Sequence, residues 1–291
     1  MDKKLETFLT VCRTMNYREA AEILHLTQPA VTKQIQSLEA EYGVKLFSYD
    51  GRHLHKTEKC GILESYARSL EYNYQEMMLS MQEKDRFHLR IGATKTIGDY
   101  VIGPAIMSYL KVPEHELTLI VDNTEKLLKN IDDNNIDFAI IEGRFDKKKY
   151  DHKLFRKEPF IGVGKINASG KKIIKPESLF KETIIVREKG SGTREFFERD
   201  LHNMGYSLSS FERVIELSSF RLIREAVKYG IGISFVYESV INDDPGFYRF
   251  NVEGIQREHE FNVVSLKNTP AQKYADRFME DISGKNNGTY H

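Results

Sequence analysis

Four side chains within one short segment have the chemistry to read DNA bases: Gln28, Thr32, Lys33 and Gln36. A glutamine can form paired hydrogen bonds with adenine, a lysine reaches guanine or phosphate, and a threonine methyl touches thymine. A second group consists of hydroxyls and cations: Thr94, Lys95, Thr96, Ser191, Thr193, Arg194, Ser218 and Ser219. Each follows an apolar, strand-like run and stands near the start of a helical one. Strand ends line the ligand crevice of an open α/β sheet, and free N–H groups at helix starts favour anions. The pattern predicts that this group converges on a small anionic ligand. The alternative is that each hydroxyl only caps its own helix. Glu142, after a third apolar run, can instead select a ligand amine.

The base-reading residues need a helix to present them. Leu5, Phe8, Leu9 and Cys12 share one helical face. Asn16 and Glu19 have capping-box spacing, and Ala20, Ala21 and Leu24 give a short helix with a small-residue face. After the break at His25-Leu26, Thr27 can cap the next helix, with Pro29 in its first turn. Val31, Ile35, Leu38 and Tyr42 are its expected buried stripe, and Gly43 closes it. This is a helix-turn-helix with Gln28, Thr32, Lys33 and Gln36 facing outward. An ordinary helical hairpin with a solvated polar face has the same periodicity. Val44–Phe47 and His53–His55, joined by Asp50-Gly51, read as a two-stranded wing that places Arg52 beside the DNA backbone or minor groove. His53 and His55 lack partners at zinc-finger spacing, so no metal is expected. Thr57 should cap a helix reaching about Asp85. Its stripe of Leu63, Tyr66, Leu70, Tyr74, Met77 and Met81 calls for a partner, either a second subunit or the chain's own surface.

Composition narrows the function. The chain has 291 residues, enough for about two domains. Lys plus Arg and Asp plus Glu both number 43, which excludes a globally basic nucleic-acid coat. Residues 1 to 87 carry 12 basic and 13 acidic side chains, so backbone affinity for DNA should be modest and helped by dimerisation. Two cysteines suit a reducing compartment, and the charged start Met1-Asp2-Lys3-Lys4 does not read as a signal peptide. No apolar run approaches a membrane span. The expectation is a cytoplasmic protein without a membrane segment or cofactor. Enzyme motifs are missing. Gly92–Thr96 lacks the ending of a phosphate-binding loop, and neither Gly190-x-Gly192 nor Gly230-x-Gly232 has a third glycine. His115-Glu116 lacks the second histidine of a zinc protease. RNA-binding strand motifs are absent too.

The run Tyr17–Ile35, with Ala20-Ala21, Leu24, Thr27-Gln28-Pro29-Ala30 and Ile35, then Leu38-Glu39 and Gly43-Val44-Lys45-Leu46-Phe47, resembles the LysR-type transcriptional regulators. The resemblance extends over essentially the whole chain. It implies a winged helix-turn-helix, a dimerising linker helix and a two-subdomain effector domain like a periplasmic binding protein. It also implies promoter DNA and a small-molecule effector as partners, and a homodimer or homotetramer as the assembly. By its motif Thr27, Gln28, Pro29, Thr32 and Lys33 belong to the recognition helix and Arg52 to the wing. The stretch Val186–Arg194 is similar to that of family members governing sulfur assimilation or carbon fixation. The runner-up reading is a cytosolic small-molecule-binding protein or an enzyme on the same effector fold.

The expected boundaries are 1–57 for the DNA-binding domain, 58–86 for the linker helix and 87–291 for the effector domain. In the effector half, strands are expected at His88–Ala93, Leu117–Val121, Asp137–Glu142, Thr183–Val186 and Val214–Leu217. Thr96 and Asp99 have the spacing of a capping pair. Crossings between subdomains are placed at 162–165 and 263–266, giving subdomain I about 87–163 and 265–284, and subdomain II about 164–264. A final helix spans about Thr269–Ser283, with a disordered tail from Gly284.

Overall fold

The computed structural model describes residues 2–81, 87–165, 173–242 and 244–282. The chain divides into two compact units, Met1–Asp85 with the turn Lys267–Pro270, and Arg86–Leu266 with Ala271–His291.

The first unit is built by local signals. Helices α1 (Lys3–Thr14), α2 (Tyr17–Ile23) and α3 (Gln28–Tyr42) follow one another. The Asn16 side chain accepts from the N–H groups of Arg18 and Glu19, and Thr27 accepts from that of Ala30. Gly43 ends α3 with φ at 65°, a conformation that costs glycine little. Val31, Ile35 and Leu38 are buried in one core with Phe8, Leu9 and Leu46. Tyr42, expected in that stripe, is 48% exposed. Glu39 is buried instead, because the chain leaving Gly43 folds over its side of the helix. Its carboxylate accepts from the Leu46 N–H at 2.9 Å and from the Lys45 ammonium at 2.6 Å. Burial works to raise the Glu39 pKa, but Lys45 and the amides of Leu46 and Phe47 outweigh it and hold it below the usual range.

The wing is an antiparallel pair, β1 (Phe47–Tyr49) and β2 (Leu54–Lys56). The first strand begins at Phe47, not at the expected Val44. The reason is that the polar groups of residues 45 and 46 are already engaged by Glu39 and by Thr57, whose hydroxyl donates to the Lys45 carbonyl at 2.7 Å. Helix α4 (Glu58–Ser80) starts at Thr57, which accepts from the Cys60 N–H. The expected end near Asp85 lies outside the described residues. Cys12 and Cys60 face each other with sulfurs 3.7 Å apart, both buried. Their hydrogen bond and burial push the Cys12 thiol up, away from the reactive thiolate.

The second unit is two-lobed. In chain order it contains β3 (Phe87–Thr94), α5 (Lys95–Tyr100), α6 (Gly103–Tyr109), β4 (His115–Asp122), α7 (Thr124–Asp132), β5 (Phe138–Ile141) and β6 (Tyr150–Gly164). There follow β7 (Ile173–Ile174), β8 (Thr183–Val186), α8 (Gly192–Asn203), β9 (Arg213–Glu216), α9 (Phe220–Lys228) and β10 (Ile233–Tyr237). The last elements are α10 (Glu238–Ile241), β11 (Tyr248–Val252), β12 (Glu258–Leu266) and α11 (Ala271–Ile282). The strand order is β4-β3-β5-β12-β6-β10-β8-β9, with β11 pairing β6 and β7.

Strand β6 belongs to both lobes. It pairs with β12 over Tyr150–Pro159 and with β10 over Phe160–Val163. The exchange of partner at Phe160 precedes the expected crossing at 162–165. The return falls at Arg257–Glu258, where the Phe160 N–H donates to the Arg257 carbonyl. Val263–Leu266, expected to cross, lies within the first lobe instead, paired with β5 and β6. Pro159, which has no N–H to donate to a ladder, stands at the exchange, one residue before the first pair with β10. The tail from Gly284 lies outside the described residues.

Candidate functional site

In the first unit, α2, α3 and the wing enclose a recess of about 780 Å³. Gln28, Thr32, Gln36 and Arg52 line it, joined by Arg18 and His53. Thr27, Pro29 and Lys33 are exposed but outside its walls. The wing turn is held by Asp50, whose carboxylate accepts from the N–H groups of His53 at 2.7 Å and Arg52 at 2.9 Å. With His55 on its other oxygen, these bonds hold the Asp50 carboxyl down at about 2. Thus Arg52 stands on a braced turn. Among the described residues no group of three or more His, Cys, Asp or Glu side chains is placed to hold a metal ion. Arg18 was not singled out from sequence, since it falls on no base-reading period, while His53 was read only as part of the wing.

In the second unit, three of the predicted hydroxyls do converge, but on a carboxylate of the protein itself. Thr94 caps α5 without a side-chain cap bond and donates its hydroxyl to Glu142. Thr96 sits inside α5, not at its cap, and donates to Glu142 at 3.3 Å. Thr193, from the other lobe, donates to the same oxygen at 3.3 Å. Glu142 is buried at the end of β5, and burial pushes its carboxyl up, while Thr94 and Arg187 draw it down. The lobes also approach through backbone. A Cβ on Gly192 would lie 2.5 Å from the Glu142 carbonyl oxygen.

The remaining residues divide. Lys95 bridges the lobes to the Ser218 carbonyl at 2.9 Å and to Glu188 at 3.3 Å. Arg194 is held by Glu198 at 2.7 Å and by Glu216 at 2.5 Å. Ser219 caps its own helix, accepting from the Leu222 N–H, and Ser218 is exposed. Ser191 is different. It precedes α8 with a buried hydroxyl that has no hydrogen-bond partner. Arg187, which sequence reading passed over, is its counterpart. Its guanidinium lies 4.2 Å over the Phe220 ring and grips Glu188 through Nε and Nη2, while buried Nη1 has no partner. Burial works to raise the Glu188 pKa, yet Arg187 and Lys95 hold it below the usual range. Ser191, Arg194, Thr124 and Arg144 border a recess of about 400 Å³.

These features define a winged helix-turn-helix regulator with a two-lobed effector-binding domain. Family models match both parts: "Bacterial regulatory helix-turn-helix protein, lysR family" over residues 3–60, and "LysR substrate binding domain" over residues 82–285. The chain belongs to the LysR family, whose members are DNA-binding regulators, not enzymes. It is 29% identical over 246 residues to the regulator CysL of Bacillus subtilis, covering 82% of this chain and 81% of that one. It is 26% identical over 290 residues to the RuBisCO operon transcriptional regulator of Allochromatium vinosum, covering 96% and 94%. A full-length OxyR variant of Pseudomonas aeruginosa shares the fold, with a TM-score of 0.59, 20% identity, and coverage of 96% and 93%. No helix among the described residues is long and apolar enough to cross a membrane.

Proposed function

We propose that this regulator binds promoter DNA in the cytoplasm through α3 and the wing, and that a small anionic metabolite controls it. Gln28, Thr32 and Gln36 read base edges, Lys33 reaches guanine or phosphate, Thr27 and Arg52 hold the phosphates, and Pro29 fixes the first turn of the recognition helix. The observation that carries this reading is the recess that gathers Gln28, Thr32, Gln36 and Arg52 on one concave face. The near balance of charge in this unit makes a second copy necessary for affinity. The exposed Tyr66, Leu70, Tyr74 and Met77 of α4 supply an apolar stripe for it.

Three features support an anionic effector. The buried hydroxyl of Ser191 and Nη1 of Arg187 are donors without partners, and unpaired buried donors are costly. The start of α8 adds free N–H groups. Burial of Glu142 beneath them pushes its carboxyl up, which lessens its opposition to an anion. A ligand there competes with the bonds from Thr193 to Glu142 and from Lys95 to Glu188. It thereby shifts the balance between two lobe arrangements and the spacing of DNA-binding units in the oligomer.

Two experiments test this. Replacing Gln28 and Lys33 by Ala should weaken operator binding in a gel-shift titration without unfolding the protein. Unchanged binding refutes the recognition-helix assignment. Thermal unfolding against inorganic sulfur anions, amino acids and dicarboxylates should reveal an effector. A ligand at about 100 times its Kd stabilises by about 2.7 kcal/mol. Ser191→Ala should abolish that shift and spare DNA affinity. A shift that survives the substitution removes Ser191 from the site.

A further inference from the structure

A second groove, of about 440 Å³, lies where the two lobes join, and it includes none of Thr94, Lys95, Thr96, Ser191 and Ser218. Four cationic side chains line it, Arg144, Lys147, Lys157 and Arg199, against two carboxylates, Glu258 and Glu260. The positive side is only partly neutralised. Lys157 and Glu258 are 3.6 Å apart with both side chains more than half exposed, a weak pairing in water. Arg144, in the loop after β5, uses only its backbone N–H, toward Glu195. Lys147 has a partner of its own, and Arg199 is oriented by Asp200 at 2.9 Å and lies 4.7 Å over the Phe196 ring.

The floor of the groove contains an unusual polar group. His259, on β12, is 2% exposed and stacks on Phe196 with ring centroids 4.1 Å apart. Its Nδ1 meets the Tyr237 hydroxyl at 3.2 Å, while the buried Nε2 has no partner. Burial lowers the imidazole pKa to about 4, so the ring is neutral at physiological pH. That leaves one ring nitrogen, Nε2, buried and unmatched beneath a groove lined by cationic side chains.

We propose that this groove is a second ligand site, taking a small dianion, phosphoryl or dicarboxylate, that bridges the lobes between Arg144 and Lys157 on one side and Arg199 on the other, with His259 beneath. It is separate from the effector recess proposed above, although Arg144 borders both. Lobe I supplies the loop after β5, and lobe II supplies α8. An occupant therefore pins the lobes at their junction.

The test is calorimetric titration of the full chain with inorganic phosphate and, separately, with succinate, alongside NMR of protein carrying ¹⁵N-histidine. At least one dianion should bind at millimolar concentration or tighter and move the Nε2 signal of His259. Lys157→Gln should weaken binding about tenfold, as expected for loss of one charge-assisted contact. Ser191→Ala should leave it unchanged. Binding of phosphate alone assigns a phosphoryl ligand, and of succinate alone a dicarboxylate. No binding of either, a stationary His259 signal, or affinity lost with Ser191→Ala but not with Lys157→Gln overturns the proposal. Affinity lost with Ser191→Ala but kept with Lys157→Gln would place the anion in the effector recess, so the failure of this proposal is distinguishable from failure of the effector reading, which operator binding and the metabolite panel judge.

Discussion

Removing the charge of Glu142 tests the central claim about the cleft, that three hydroxyls from two lobes are tied to one buried carboxylate. Thr94, Thr96 and Thr193 are each at most 2% exposed, so none can turn to water. Glu142→Ala should cost about 3 kcal/mol, at about 1 kcal/mol for each hydroxyl bond lost, and more if the orphaned hydroxyls stay buried. Glu142→Gln keeps the size and an acceptor oxygen, and its amide can donate to Thr94 once that hydroxyl turns. It should cost about 1 kcal/mol or less at low pH. The pH dependence separates the two forms of the residue. Burial raises the folded pKa of Glu142 above its ordinary value of 4.5. Between these values the folded state holds the proton more tightly than the unfolded one, so stability is full below 4.5 and falls as pH rises through the folded value. The slope reaches at most about 1.4 kcal/mol per pH unit. Urea unfolding of the wild type and Glu142→Gln at about pH 5 and about pH 8 measures it, and taking the difference cancels other titrating groups. The variant should gain on the wild type as pH rises. Parallel curves would refute a buried carboxyl with a raised pKa.

Three further outcomes follow from local geometry. Glu39→Gln removes the partner of the Lys45 ammonium and weakens the hold on the Leu46 amide. Urea unfolding should show a loss of about 1–3 kcal/mol, and a loss within error would mean the wing is not anchored there. Gly192→Ala should destabilise by about 1–3 kcal/mol, because its methyl meets the Glu142 backbone. Gly61→Ala, on a helix with open space around it, should stabilise by about 0.4–1 kcal/mol. Thermal melts showing the reverse order would contradict both backbone placements. Arg52→Ala should reduce the slope of log K against log salt by about 0.9 if Arg52 meets one phosphate, and an unchanged slope removes that contact.

The DNA-binding unit was legible because its signals are local. Asn16, Thr27 and Thr57 cap helices through amides two or three residues away, and such a pairing can be read from adjacent letters. Tyr42 shows the limit of periodicity. The helical stripe marks a face, while the fold of the chain after Gly43 decides that Glu39 and not Tyr42 is covered. In the effector unit, the sequence of strand, hydroxyl and helix was readable at Thr94, Ser191 and Ser219. Its meaning was not, because Glu142 lies 48 residues from Thr94 and 51 from Thr193. Arg187 and His259 left no trace at all. Their importance rests on what surrounds them after folding, and no spacing announces an unpaired buried nitrogen.

The placement of β12 also governs how this protein can be made. β12 sits between β5 and β6 in the sheet, yet it is the last strand to leave the ribosome. Until it arrives, the first lobe is an open pair of edges, with Tyr150–Pro159 of β6 lacking the strand it pairs with. The second lobe, from Phe160 to Arg257, is complete before that point and can fold first. During synthesis the domain is therefore finished from the inside out, with the inserted lobe as a folded guest in an unfinished host. The exposed edges of β5 and β6 must wait for about a hundred residues of chain, the kind of long-range pairing that slows folding and invites aggregation. A charge-neutral protein with such an interval should be most vulnerable while nascent, and nascent-chain protease mapping would find the second lobe protected before the first.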